Sequence, residues 1–182
     1  MNPAENIYLV GLMGAGKTTV GKLIAKQMGK AFYDSDQEIK DRTGVSISHI
    51  FEVEGEAGFR ARESSVLKEL VQLKDIVLAT GGGAILSEEN RALLKRNGTV
   101  IYLRASVNDL WARTRHDRNR PLLQTEDPHA KLSEFFAIRD PLYREIADYV
   151  IDTSRQSVSN LVHHILQTIG NHRKLCAHLK SN

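Results

Sequence analysis

Residues 11–18 read Gly-Leu-Met-Gly-Ala-Gly-Lys-Thr, a complete G-x-x-x-x-G-K-[ST] match, and no other stretch of the chain restricts its possible folds as sharply. The spacing serves a phosphate cradle. Glycines let the backbone curl until successive N–H groups converge on an anion, and a helix that follows directs its positive end at the same charge. Lys17 then stands where it reaches the β- and γ-phosphates of a nucleotide, and the Thr18 hydroxyl where it ligates Mg²⁺. The surroundings agree. Ile7-Tyr8-Leu9-Val10 is a short apolar run suited to a buried strand, and Lys17 to Met28 carries Val20, Leu23, Ile24 and Met28 at helical spacing until Gly29 ends it.

The same alternation continues along the chain. Further short strands are expected at Ala31-Phe32-Tyr33 (ending at Asp34), Ile76 to Ala79, Val100 to Leu103 and Tyr149 to Ile151. Helical segments are expected around Gln37–Arg42, Glu56–Leu73, Ser87–Arg96, Asn108–Arg115, Ala130–Glu145 and Ser157–Ile169. Strands separated by helices require crossover connections, hence an α/β fold with a mostly parallel sheet and helices on both faces. In such sheets ligands bind beyond the carboxyl ends of the strands. Gly11, Asp34 and Gly81 each stand just past a predicted strand, on that edge. The segment 113–128 is highly charged, lacks periodicity and carries Pro121 and Pro128, which marks a long exposed loop suited to a lid. Residues 1–170 are expected to form a single domain, followed by a polar, frayed tail at 171–182.

A net charge of +3 is too mild to imply nucleic-acid binding without a focused basic face. A single cysteine, Cys176, excludes an intramolecular disulfide and agrees with a reducing compartment. The first residues carry no basic region, the apolar run at Ile7 is too short for a signal peptide, and no stretch approaches a bilayer-spanning length. The expectation is a cytoplasmic monomer with no nucleic-acid or membrane partner.

Other motifs follow in order: Asp34-Ser35-Asp36, Gly58-Phe59-Arg60, Gly81-Gly82-Gly83-Ala84, Arg120-Pro121-Leu122-Leu123 and Arg139-Asp140-Pro141-Leu142-Tyr143. With the phosphate loop in front, this series closely resembles shikimate kinases over about Ile7 to Ile169. The resemblance implies a three-layer α/β/α P-loop kinase fold with a five-stranded parallel sheet in the order 2-3-1-4-5. It implies transfer of the γ-phosphoryl group of ATP to the 3-hydroxyl of shikimate, with Mg²⁺, to give 3-phosphoshikimate and ADP in the route to chorismate and aromatic amino acids.

Site residues carry over position by position. Arg60 and Arg139 would hold the substrate carboxylate, a task for which the planar guanidinium fork is suited. Asp36 would take the hydroxyls, and Gly82 and Gly83 would present backbone N–H groups. Gly14, Ala15, Gly16, Lys17, Thr18 and Thr19 would hold the nucleotide phosphates, with Arg113 and Gln156 beside the adenine. Thr18 and Asp34 would lie at Mg²⁺. Lys17, Asp36 and the lid residue Arg120 would be the catalytic groups, acting on a loose transition state mainly through positioning and charge.

Some signals lead elsewhere and are weaker. Asp41-Arg42-Thr43-Gly44 matches D-x-x-G but lies inside a helical segment, and no N-K-x-D accompanies it. His163 and His164 are adjacent, which is poor metal-ligand spacing, and His172, Cys176 and His178 form only a loose group. Trp111 fits a helix packing face. Asp36 also reads as an N-cap for the helix from Gln37. Two alternatives remain open at this point: a kinase for another hydroxylated acid such as gluconate, and a nucleotide-binding module without turnover.

Overall fold

The computed structural model describes residues 6–117, 121–154 and 156–179, with only the backbone from 172 onward. Five strands form one sheet: β1 (Asn6–Val10), β2 (Ala31–Asp34), β3 (Ile76–Ala79), β4 (Gly98–Arg104) and β5 (Tyr149–Asp152). All pairings are parallel and the order is β2-β3-β1-β4-β5, as expected. Every residue of β1 and β3 is buried. Successive side chains point to opposite faces of a sheet, so both faces are covered. The covering helices are α1 (Lys17–Met28), α2 (Ser35–Thr43), α3 (Ile47–Leu70), α4 (Glu88–Asn97), α5 (Val107–Thr114), α6 (Pro128–Ile146) and α7 (Val158–Leu179). α1 packs with α7 and on β3, while α4 and α6 pack together against β4.

Three segments depart from expectation. α3 begins at Ile47, capped by the Ser46 side chain, and not at Glu56. The periodicity is broken at Gly55, whose φ of 69° and ψ of −177° interrupt the helix in mid-course, so only the second half reads as regular. The tail expected to fray instead continues α7 to Leu179. No proline stops it, Val162, Ile165 and Ile169 are buried, and the single Gly170 costs too little to end the helix. The charged loop also holds a 3₁₀ turn at Pro121–Leu123, whose Leu123 is buried, so it has an apolar anchor that its composition conceals. Gly44 of the D-x-x-G match is the left-handed C-cap of α2.

Candidate active site

The first turn of α1 carries the phosphate loop because the loop glycines take conformations closed to other residues. Gly14 and Gly16 have φ of 82° and 95°. A Cβ on Gly11 would strike the Leu103 carbonyl oxygen at 2.5 Å, so the loop lies tightly against the end of β4. Gly16 is the N-cap and offers no side-chain acceptor, which leaves the first amides of α1 without a side-chain cap. The amide of Ala15 is turned back to the Leu12 carbonyl at 3.1 Å. Lys17 curls over the loop, its Nζ donating to the carbonyls of Gly11 (2.7 Å) and Leu12 (3.0 Å).

Thr18 donates its hydroxyl to Asp34 Oδ2 at 2.6 Å. The other Asp34 oxygen accepts from the amides of Asp36 and Gln37, so Asp34, not Asp36, is the N-cap of α2. This corrects the capping role expected of Asp36. It also leaves the Asp36 carboxylate for other work: its Oδ1 is buried with no hydrogen-bond partner. Burial, and next the charge of Asp34, raise the Asp36 carboxyl above its usual range, against the pull of Lys17.

β3 opens into the glycine triplet. The Gly81 amide donates to Ser35 Oγ at 2.8 Å. A Cβ on Gly81 would collide with Glu63 Oε1 and Asp36 Oδ1, and one on Gly83 with the Arg60 guanidinium. The triplet thus lets charged side chains lie flat on the backbone. Gly82 is fixed from below by Tyr143, whose hydroxyl donates to its carbonyl at 2.5 Å.

Arg60 and Arg139 come together from α3 and α6. Arg60 Nη1 meets Glu63 Oε2 at 2.8 Å, and its Nη2 and Nε meet Glu56 Oε1 at 3.0 and 3.3 Å. Burial pulls this guanidinium down, but Glu63 and Glu56 hold it above its ordinary value. Arg139 is 3% exposed and stacks on Phe135, its guanidinium carbon 4.2 Å from the ring centroid. Its Nη1 has no hydrogen-bond partner. Burial, and also the charge of Arg60, push it down. Glu63, which the sequence reading missed, is 1% exposed and has its carboxyl pushed up to about 7 by burial against the opposing pull of Arg60. Its signal was present as helical i,i+3 spacing from Arg60.

These groups line one cavity of about 850 Å³. Its lining brings Gly14, Gly16, Lys17, Thr18 and Thr19 of the phosphate loop together with Asp34, Asp36, Arg60, Glu63, Gly81–Gly83 and Arg139. Arg113 and Gln156 lie to the side. Arg113 Nη1 donates to the Gly14 carbonyl at 3.1 Å, and Gln156 Nε2 to the Asp152 carbonyl at 3.1 Å. Arg118 and Arg120 lie outside the described residues. Among the described residues no cluster of His, Cys, Asp and Glu could enclose a metal ion, and no helix is long and apolar enough to cross a membrane. Trp111 is half-buried against the core, edge-on to His129. The arrangement joins a phosphate cradle to a pocket with two guanidinium groups and an unpartnered carboxylate, which suits phosphoryl transfer to a hydroxylated acid.

Comparison with known proteins points the same way. A profile of the shikimate kinase family matches residues 13–170. The chain is 61% identical to a shikimate kinase of Nitrosospira multiformis over 164 residues, covering 90% of this chain and 84% of that one. It is 64% identical to a shikimate kinase of Chromobacterium violaceum over 159 residues, covering 87% and 86%. Among solved structures, shikimate kinase from Acinetobacter baumannii in complex with shikimate superposes with a TM-score of 0.91 at 54% identity, covering 92% of this chain and 94% of that one.

Proposed function

Because the chain belongs to the shikimate kinase family, and so moves the γ-phosphoryl group of ATP onto the 3-hydroxyl of shikimate to give 3-phosphoshikimate and ADP, we propose that its cavity holds the two substrates at its opposite ends. The observation that carries this division is Arg139. A guanidinium buried to 3% exposure with an unpartnered Nη1, facing a cavity continuous with the phosphate loop, is costly unless an anion completes it. The carboxylate of shikimate supplies that partner, with Arg60 beside it. The backbone of Gly82 and Gly83 and the Asp36 carboxylate then take the hydroxyl side of the ring. Asp36 accepts the proton of the attacking hydroxyl, a role to which its raised pKa is suited.

At the other end the amides of Gly14 and of Gly16 to Thr19 and the Lys17 ammonium hold the phosphates, with Ala15 shaping the loop between them, and Arg113 and Gln156 stand beside the base. Arg120, on the lid at 113–128, closes over the phosphates and stabilises the charge that spreads in the transition state. Thr18 and Asp34 fit Mg²⁺: one hydroxyl and one carboxylate in mutual contact leave the other positions to phosphate oxygens and water, which is how this ion is usually held. When bound, Mg²⁺ would supply charge neutralisation at the phosphates. Residues 1–170 act as one catalytic unit, in the cytoplasm and as a monomer, with ATP and shikimate as the partners.

The test is ADP release in a coupled assay with shikimate, gluconate and no acid in parallel. Release that requires shikimate is expected. Equal release with gluconate, or with no acid, would overturn the assignment of the acid pocket.

A further inference from the structure

Arg60 has no free bidentate edge. Its guanidinium lies against Gly83 so closely that a Cβ there would collide with it, which closes that side. Nη1 is held by Glu63 at 2.8 Å, and the Nε–Nη2 edge is held by a single oxygen of Glu56. That edge is the fork a carboxylate engages with two parallel hydrogen bonds. Glu56 also stands near enough to Arg139, on a different helix, for its charge to favour that guanidinium. A carboxylate of the chain itself therefore occupies the field of both arginines.

We propose that Glu56 is an internal competitor for the acid-binding arginines, a specificity-determining residue that the carboxylate of shikimate must displace from Arg60. The inference rests on the reading of Arg60 as a carboxylate holder. The two glutamates on Arg60 are unequal in a way that decides which one yields. The Glu63 side chain is 1% exposed and fixed beneath the triplet, whereas that of Glu56 is 52% exposed and can swing into water at little cost. Glu56 also directly follows Gly55, where the helix is already interrupted, so its release disturbs no regular helix on its N-terminal side. The competition imposes a threshold. A neutral polyol lacks the charge to displace Glu56, while an acid exchanges one carboxylate for another and gains the unpartnered Nη1 of Arg139.

Calorimetric titration of the full chain with shikimate, without nucleotide, tests this with three variants. Glu56→Gln removes the competing charge, and the dissociation constant for shikimate should fall about threefold to tenfold, the range expected for a partly exposed, charge-assisted pair. Glu56→Asp keeps the charge but shortens the reach, and should also tighten binding. An unchanged or weakened affinity in Glu56→Gln would overturn the proposal, because a residue that merely steadies Arg60 weakens binding when removed. Tightening in Glu56→Gln but not in Glu56→Asp would overturn occupancy of the fork in favour of a diffuse charge effect. Arg60→Lys separates the two levels. If it leaves shikimate affinity unchanged, the reading of Arg60 fails and the inference with it. If it weakens binding while neither Glu56 variant strengthens it, the inference alone fails.

Discussion

Tyr143 donates its hydroxyl to the carbonyl oxygen of Gly82 at 2.5 Å, so a side chain of α6 fixes the middle of the loop that follows β3. Tyr143 is fully buried and its ring lies 4.8 Å from that of Tyr102, so it has no freedom to retreat. Arg139 is one helical turn away on the same face. One residue thus ties together the backbone and the guanidinium proposed to contact the acid. Tyr143→Phe keeps the packing and removes the bond, leaving a carbonyl without its partner. The expected result is a loss of about 1–2 kcal/mol in unfolding free energy and a rise in KM for shikimate with little change in KM for ATP. Unchanged values for both in denaturant unfolding and steady-state kinetics would show that the tie does not hold the loop.

Arg139→Lys keeps the charge and loses the fork and the stacking on Phe135. KM for shikimate should rise about tenfold or more, by the strength of a charge-assisted bidentate pair, while KM for ATP changes much less. A rise confined to ATP would place Arg139 at the wrong end of the cavity.

Lys17→Ala removes the cation that curls over the phosphate loop. Turnover should fall at least about a hundredfold, the scale of losing one preorganised transition-state donor. Fluorescence or circular dichroism melting should show the fold intact, since the Gly11 and Leu12 carbonyls that the lysine reaches belong to its own loop. Near-normal turnover would mean that the loop does not hold a reacting phosphate.

Glu63 predicts a pH dependence of stability. Its carboxyl is raised from the ordinary 4.5 to about 7, mainly by burial, so the folded state binds a proton more tightly than the unfolded chain. Its contribution is therefore fully present below about 4.5 and is lost as pH rises through about 7. Glu63→Gln is neutral throughout and its amide oxygen still accepts from Arg60. Urea unfolding of both proteins across this window should show the variant gaining stability relative to the parent as pH rises. A constant difference would mean that Glu63 titrates normally.

Much of the site is legible in the sequence where its chemistry is contiguous. The phosphate loop is a single run of residues between a strand and a helix, so its pattern, spacing and context can all be read from the chain. Asp34 and the glycine triplet are legible for a related reason, since Asp34 ends β2 and the triplet comes one residue after the buried strand β3, both on the ligand edge. Glu63 is not, because a glutamate three residues from an arginine in a helix reads as a solvated surface pair. Only the fold reveals that this face of α3 turns under the triplet and that the carboxylate is buried. The cap of α2 stands two residues before the expected one for a similar reason. Asp34 and Asp36 have the same side chain, and only the backbone shows which one stands outside the helix. The extension of α7 to Leu179 shows the converse, since a polar composition does not end a helix that has already been nucleated and anchored.

The sheet order carries a further consequence. β1, which leads into the phosphate loop, and β3, which leads into the glycine triplet, are adjacent and parallel. Neighbouring strands stand about 4.8 Å apart, so the offset between the donor end and the acceptor end of the cavity is set by the backbone ladder, whatever side chains line it. The side chains that would select the acid, Arg60 and Arg139, come from α3 and α6 and are no part of that ladder. Donor–acceptor distance and substrate choice are in this sense separately heritable. Replacing the helical residues would alter which acid enters the cavity, while the ruler against which the phosphoryl group is delivered keeps its length.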